Sequence, residues 1–250
     1  MRNSNLSRPA GNQNNPALKL NAREIIEFLF DDPASEAAPI IAAWIAESKR
    51  FLVFVANNRT KIRKKLRTAA GTDGLRSVLL ELEVAYQLLA DRRCVMEYER
   101  YGQGGVRSPD LTLVCRENAI INLEATLLRD AGAEISERQD KLISTVCHKL
   151  GQMMPENHNV LIVAADRGLL TAEDVNRSMK RLRERVEQRD AALLSKFGFA
   201  HPSGFFRQFQ WLSAIGVWNS KDSECLWVNS QARRSLPEGV AGLLTRIMTS

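Results

Sequence analysis

Cysteine is scarce in this chain and never grouped: Cys94, Cys115, Cys147 and Cys225 stand singly among 250 residues. With no CxxC and no Cys/His spacing, neither a zinc site nor a disulfide framework is indicated, and a reducing cytosol is the expected setting. His148 and His158 have no partnered spacing and receive no role. Long apolar runs are missing as well. The longest, Ala37 to Ala46, contains a proline and stops at Glu47-Ser48-Lys49-Arg50; it has about half the length a bilayer requires. No internal repeat is evident. The opening stretch MRNSNLSRPAGNQNNP has no apolar signal core. Residues 1–20 are therefore expected to form a disordered arm, and the chain to be cytoplasmic with no membrane partner.

What is present suits a globular protein: 44% of residues are hydrophobic and 26% charged. The net charge of +6 leans towards an anionic partner, of which nucleic acid is the usual one. Apolar spacings predict helices over 22–31 and 36–69, including Ile40, Ile41, Trp44, Ile45, Phe51 and Leu52. Gly71 to Gly74 interrupts the pattern. Beyond it an amphipathic helix at 75–91 is followed by strands at 94–100, 109–116 and 119–127. Further on come a helix at 134–154, the buried-strand run Asn159 to Ala165, a charged helix at 171–194, and strands at 211–218 and 225–229. Alternating strands and helices predict an α/β fold with a mixed sheet flanked by helices, preceded by an N-terminal helical segment at 21–72.

Three acids stand out by position. Glu81 shares helical spacing with Val78, Leu82, Ala85 and Leu88, so its carboxylate belongs to the apolar stripe, whereas Glu83 with Gln87 falls on the face expected to be solvated. A core-facing acid needs a partner, a hydrogen bond or a metal ion. Asp110 follows Pro109 where a strand opens, after the turn Gly102-Gln103-Gly104-Gly105. In Asn122-Leu123-Glu124-Ala125-Thr126-Leu127, alternation puts Asn122, Glu124 and Thr126 on one face. Taken singly, each acid has a plain explanation: a salt bridge, turn chemistry, and a strand with a polar, solvated outer face.

Their order is more specific. An acid on a helix, Pro-Asp opening a strand, and an acid midway along the next strand resemble the restriction-endonuclease-like PD-(D/E)XK nuclease superfamily. The resemblance covers residues 75–165, and more loosely the strands out to about 235; it makes 73–250 a nuclease-like α/β domain. It implies a metal-dependent phosphodiesterase acting on DNA, with Mg²⁺, or alternatively Mn²⁺, held by Asp110, Glu124 and Glu81. Mg²⁺ prefers hard carboxylate oxygens and takes the rest of its shell from water and phosphate. The family motif places lysine two residues after the second acid, where this chain has Thr126. A threonine hydroxyl can hold water but brings no charge. Lys149, aligned with Thr145 and Gln152 beside the stripe Leu142, Val146 and Leu150, is the expected replacement. Catalytic roles are thus implied for Asp110, Glu124, Thr126 and Lys149.

Two basic segments offer phosphate contacts. The run from Arg59 to Arg67 holds Lys61, Arg63, Lys64, Lys65 and Arg67 with no acid among them, and is the expected DNA-binding surface. The helix at 171–194 mixes its cations with Glu173, Asp174, Glu184, Glu187 and Asp190, the pattern of a salt-bridged solvated helix. Phe205, Phe206, Phe209 and Trp211 read as core rather than as a base-stacking platform. The competing expectations are a catalytically silent nuclease-fold protein that binds nucleic acid or a protein partner, and an interaction module whose contact helices lie in 22–70.

Overall fold

Six strands lie side by side in the order in which the chain makes them. The computed structural model describes residues 21–32, 34–101, 108–115, 119–129, 134–165, 170–218 and 225–249. The expected arm at 1–20 and the glycine turn at 102–105 lie outside the described residues. Among the described residues four helices come first: α1 (Ala22–Leu29), α2 (Ala37–Glu47), α3 (Lys49–Thr68) and α4 (Gly71–Leu89). An antiparallel meander follows, β1 (Cys94–Tyr98), β2 (Leu111–Cys115) and β3 (Ile120–Leu128). Helix α5 (Ile135–Leu150) then carries the chain to β4 (His158–Ala165), parallel to β3. Three helices, α6 (Ala172–Glu187), α7 (Ala191–Lys196) and α8 (Pro202–Phe209), lead to β5 (Leu212–Val217), parallel to β4. Strand β6 (Leu226–Val228) closes the sheet antiparallel to β5, and α9 (Glu238–Met248) ends the described chain. The fold is therefore α/β, with a mixed six-stranded open sheet and an N-terminal helical segment.

Strand β4 shows why the sheet is covered on both sides. Its run Val160-Leu161-Ile162-Val163 is buried throughout, and its side chains divide between two cores. Val160, Ile162 and Ala164 join Leu123 and Ala125 in a core built with α1 to α4 and α9. Leu161 and Val163 join Leu142, Val146, Leu182 and Phe205 in a second core built with α5 to α8. An apolar run without alternation is what a strand needs when both faces meet helices. Phe205 and Phe209 lie in the second core, and the aromatic cluster is core packing. The N-terminal helices contribute Phe51, Phe54 and Ile62 to the first core directly against the meander side of the sheet.

Several element boundaries differ from the sequence expectation. The helix expected over 36–69 breaks at Ser48, whose backbone is extended (φ −126°, ψ 105°) and whose hydroxyl accepts from the Phe51 amide as the cap of α3. The helix expected over 171–194 ends at Glu187; Arg189 adopts φ +59° and Asp190 caps α7. Gly71 to Gly74 begins α4 instead of separating it from α3 by a loop. Helices α8 and α9 have no counterpart in the expected element list. Both are short amphipathic segments rich in glycine or aromatics, and tertiary burial outweighs weak local propensity there. Glu83, expected on a solvated face, is half-buried and accepts a hydrogen bond from Trp218 Nε1 at 3.2 Å. Trp218, just after β5, and helix α9 pack against α4, and burial raises the Glu83 pKa.

Candidate functional site: a buried cluster of acids and lysines

The turn between α3 and α4 sets the first half of the site. Only Ala69 and Ala70 separate the two helices. Gly71 takes φ +63°, and a Cβ on Gly74 would stand 2.9 Å from the Ala69 carbonyl carbon, so the chain can double back only with glycine at these points. The doubled-back helices lay Lys65, in the last turn of α3, beside Glu81 in the middle of α4. Lys65 Nζ donates to Glu81 Oε2 at 2.6 Å and to Asp110 Oδ1 at 3.1 Å, and stands 3.3 Å from Glu99 Oε1. Tyr98, at the end of β1, donates its hydroxyl to the same Glu81 oxygen at 3.0 Å. Glu99 has φ +45°, a conformation that costs a non-glycine residue free energy and that tertiary contacts must hold. Two contacts hold it: its amide donates to the Asp110 carbonyl, and Lys61 Nζ donates to the Tyr98 and Glu99 carbonyls.

The second half comes from β3 and α5. Asp110 Oδ2 accepts the Ala125 amide at 3.1 Å, which ties the mouth of β2 to the residue following Glu124. Glu124 Oε2 accepts from Lys149 Nζ at 2.6 Å, while Glu124 Oε1 is buried without a hydrogen-bond partner. Thr126, two residues on, is half-buried and pairs in register with Val163 of β4. The plain explanation of Glu124 by a polar outer face on β3 does not hold: Asn122 and Glu124 are 2% and 6% exposed. Helix α5 and the neighbouring strands cover that face. Asn122 is absorbed in a neutral ladder in which Thr112 Oγ1 donates to Asn122, Asn122 donates to Asn159, and Asn159 donates to the Met154 and Trp211 carbonyls.

Burial and crowding make this cluster electrostatically unusual. Glu81 and Glu124 are each pushed up to about 7, first by burial and then by the negative charge of Asp110, with the lysine ammoniums pulling the other way. Burial would push the Lys65 ammonium down, but the charges of Asp110 and Glu81 outweigh it and hold its pKa above the usual lysine value. The Tyr98 hydroxyl is held protonated by burial and by the adjacent Glu81 carboxylate. Carboxyls poised near neutrality by burial and a neighbouring charge, as Glu81 and Glu124 are, recur at functional sites.

The structure thus brings together Glu81, Asp110, Glu124 and Lys149, with Thr126 next along the strand. The expected DNA-binding run divides. Lys65 turns inwards to the acids; Arg63 and Arg67 pair with Asp31 at 2.7 and 2.6 Å; Lys61 caps the β1 carbonyls; Lys64 is exposed. Three residues of the cluster received no site role from the sequence: Tyr98, Glu99 and, as a partner of the acids, Lys65. Lys65 had a usable signal. Phe51, Val55, Asn58, Ile62 and Lys65 recur at steps of four and three, so the lysine continues the buried stripe of α3 just as Glu81 continues that of α4. Glu99 had none, because its side chain is aimed by a backbone turn.

Oxygen donors of Glu81, Asp110 and Glu124 are of the type that hard divalent cations take, and the unpartnered Glu124 oxygen offers an open valence. The residues fit such a cation in kind. Among the described residues, no group of three or more His, Cys, Asp or Glu is arranged as a ready metal shell; Lys65 stands between Glu81, Glu99 and Asp110 instead. No described helix is long and apolar enough to cross a membrane. Comparisons of the chain with protein-family models, with curated proteins and with solved structures find no match.

Proposed function

We propose that the chain is a metal-dependent phosphodiesterase acting on DNA, of restriction-endonuclease-like type. The observation that carries the reading is the meeting of one helix acid and two strand acids, Glu81, Asp110 and Glu124, with Lys149 on the last of them at 2.6 Å. Asp110 and Glu124 would hold Mg²⁺ or Mn²⁺ and Glu81 would assist. A bound divalent ion supplies Lewis-acid polarisation of a phosphoryl oxygen and lowers the pKa of a bound water. Lys149 brings to Glu124 the positive charge that Thr126 cannot, and orients that carboxylate. The net charge of +6 supports an anionic partner, and Lys64 and Arg59, both exposed, would contact its phosphates. A cytoplasmic setting accords with unpaired, mostly buried cysteines.

The test is Mg²⁺-dependent cleavage of plasmid or linear DNA by purified protein, compared with Asp110→Ala and Glu124→Ala. Cleavage lost in both variants supports the reading. Equal cleavage by all three proteins identifies a contaminant and removes it. One observation favours a second reading, a catalytically silent protein that keeps the fold and binds nucleic acid: Thr126 stands at the motif lysine position while a lysine already fills the space between three acids. That reading predicts salt-dependent DNA binding without turnover, unchanged by replacing Glu124.

A further inference from the structure

The ammonium of Lys65 is ringed by oxygens from three separate elements: Glu81 on α4, Glu99 after β1, and Asp110 before β2, at 2.6, 3.3 and 3.1 Å. A lysine ammonium has three donors and no acceptor; here it donates to Glu81 and Asp110, with Glu99 a third acid at ion-pair distance. It is a compact point cation standing where carboxylates of Glu81 and Asp110 converge. The arrangement is nevertheless incomplete. Glu124, 6% exposed and joined to the cluster through Asp110 and the Ala125 amide, keeps Oε1 buried and unpartnered. A buried carboxylate oxygen without a donor is costly, and neither Lys65 nor Lys149 serves it in this arrangement.

We infer that Lys65 is a resident counter-cation which competes with a divalent ion for Glu81 and Asp110, so that the ion binds fully only as Lys65 withdraws. The inference rests on the reading of these acids as a cation site and adds what governs its occupancy. An ammonium and a divalent ion cannot share the same carboxylate oxygens at these distances, because like charges a few ångströms apart in a buried site repel strongly. Two features suit the exchange. Lys65 lies in the last turn of α3 with its side chain 23% exposed, so a flexible stem can carry the charge outwards to solvent. Glu81 stays oriented when the lysine leaves, because Tyr98 donates to the same oxygen. The apparent affinity for the ion is then reduced by the fraction of molecules in which Lys65 is out.

The test uses Mg²⁺ or Mn²⁺ alone, without DNA. Calorimetric titration of wild type and Lys65→Met, each checked for fold by circular dichroism, is expected to show about tenfold tighter ion binding in the variant. Equal or weaker binding by a folded variant overturns the inference. Because removing Lys65 strips three acids of their counter-charge and can cost stability, wild-type protein supplies an independent reading. Acylation of Lys65 by an amine-reactive ester, followed by mass spectrometry, is expected to quicken severalfold on ion addition while exposed Lys64 does not change; an unchanged Lys65 rate overturns the inference. The two ideas fail separately. Tighter ion binding in Lys65→Met without DNA cleavage by wild type keeps the competition and removes the nuclease reading. Ion-dependent cleavage with identical ion affinities does the reverse.

Discussion

Strand β3 carries two buried polar side chains on one face, two residues apart, and they belong to opposite kinds of network. Asn122 sits in a neutral ladder running through Thr112, Asn159 and Ser213, where Asn159 alone meets the Met154 amide, the Met154 and Trp211 carbonyls and Asn122. Glu124 sits in the charged cluster with Lys149, one oxygen satisfied and the other orphaned, its carboxyl pushed up to about 7. A satisfied neutral network fixes strand register and asks for nothing more. An incompletely satisfied charged one stores free energy that a proton or a cation can release. The difference marks Glu124 as the place to look for chemistry and Asn122 as scaffolding.

Four perturbations sharpen that contrast. Under the proposed function the largest expected effect is on turnover: Asp110→Ala should lower Mg²⁺-dependent DNA cleavage by about 100-fold or more, since it removes a carboxylate that would hold the metal ion, measured under single-turnover conditions. Its melting temperature should fall little by comparison. Asn159→Ala should show the opposite profile. Leaving the Met154 and Trp211 carbonyls without their donor should cost about 3 kcal/mol, a drop of roughly 5–10 °C in a thermal melt, with cleavage per folded molecule unchanged.

The third perturbation is pH. Glu81 and Glu124 have folded-state values near 7 against an unfolded value near 4.5, so between those limits the folded chain holds protons that the unfolded chain has released. Their contribution to stability is therefore fully present below about 4.5 and is lost as pH rises through 7. Relative to wild type, Glu124→Gln should flatten that decline by about 1–3 kcal/mol, measured by denaturant unfolding at pH 5 and pH 8. A steeper decline in the variant would contradict the assignment. The smallest effect is expected from Thr112→Val. It removes a single 3.2 Å bond to Asn122 and should cost about 1 kcal/mol, with the pH profile unchanged.

Much of the site could be read from spacing, because its acids lie on regular elements. Glu81 among Val78, Leu82 and Ala85 had to face the core, and Glu124 had to share a face with Asn122 and Thr126. Periodicity also placed Lys149 beside the stripe of α5. What spacing could not supply was the covering of each face. Alternation along β3 reads identically for a solvated polar face and for one buried under a helix, and only packing decides between them. The basic run of α3 shows the same limit from the other side. Counting cations made Lys65 a phosphate contact, whereas its place in the stripe with Val55, Asn58 and Ile62 turns it inwards. Glu99 was out of reach altogether, since a residue at φ +45° points its carboxylate by a turn that only long-range contacts maintain.

The sequence by itself determined the alternation of helices and strands, the doubly buried β4, and the faces on which Glu81 and Glu124 emerge. Those follow from the fixed periods of helix and strand, which act within a few residues. Tertiary structure alone decided that acids from α4, from the start of β2 and from β3 share one site with Lys65 and Lys149, and that the Glu81 and Glu124 carboxyls are poised near neutrality. Convergence depends on how α3 doubles back at Gly71 and Gly74 and on which oxygen each lysine reaches. Burial depends on the helices that close over the sheet. Neither is encoded in any local spacing, because both are properties of residues far apart in the chain brought within a few ångströms.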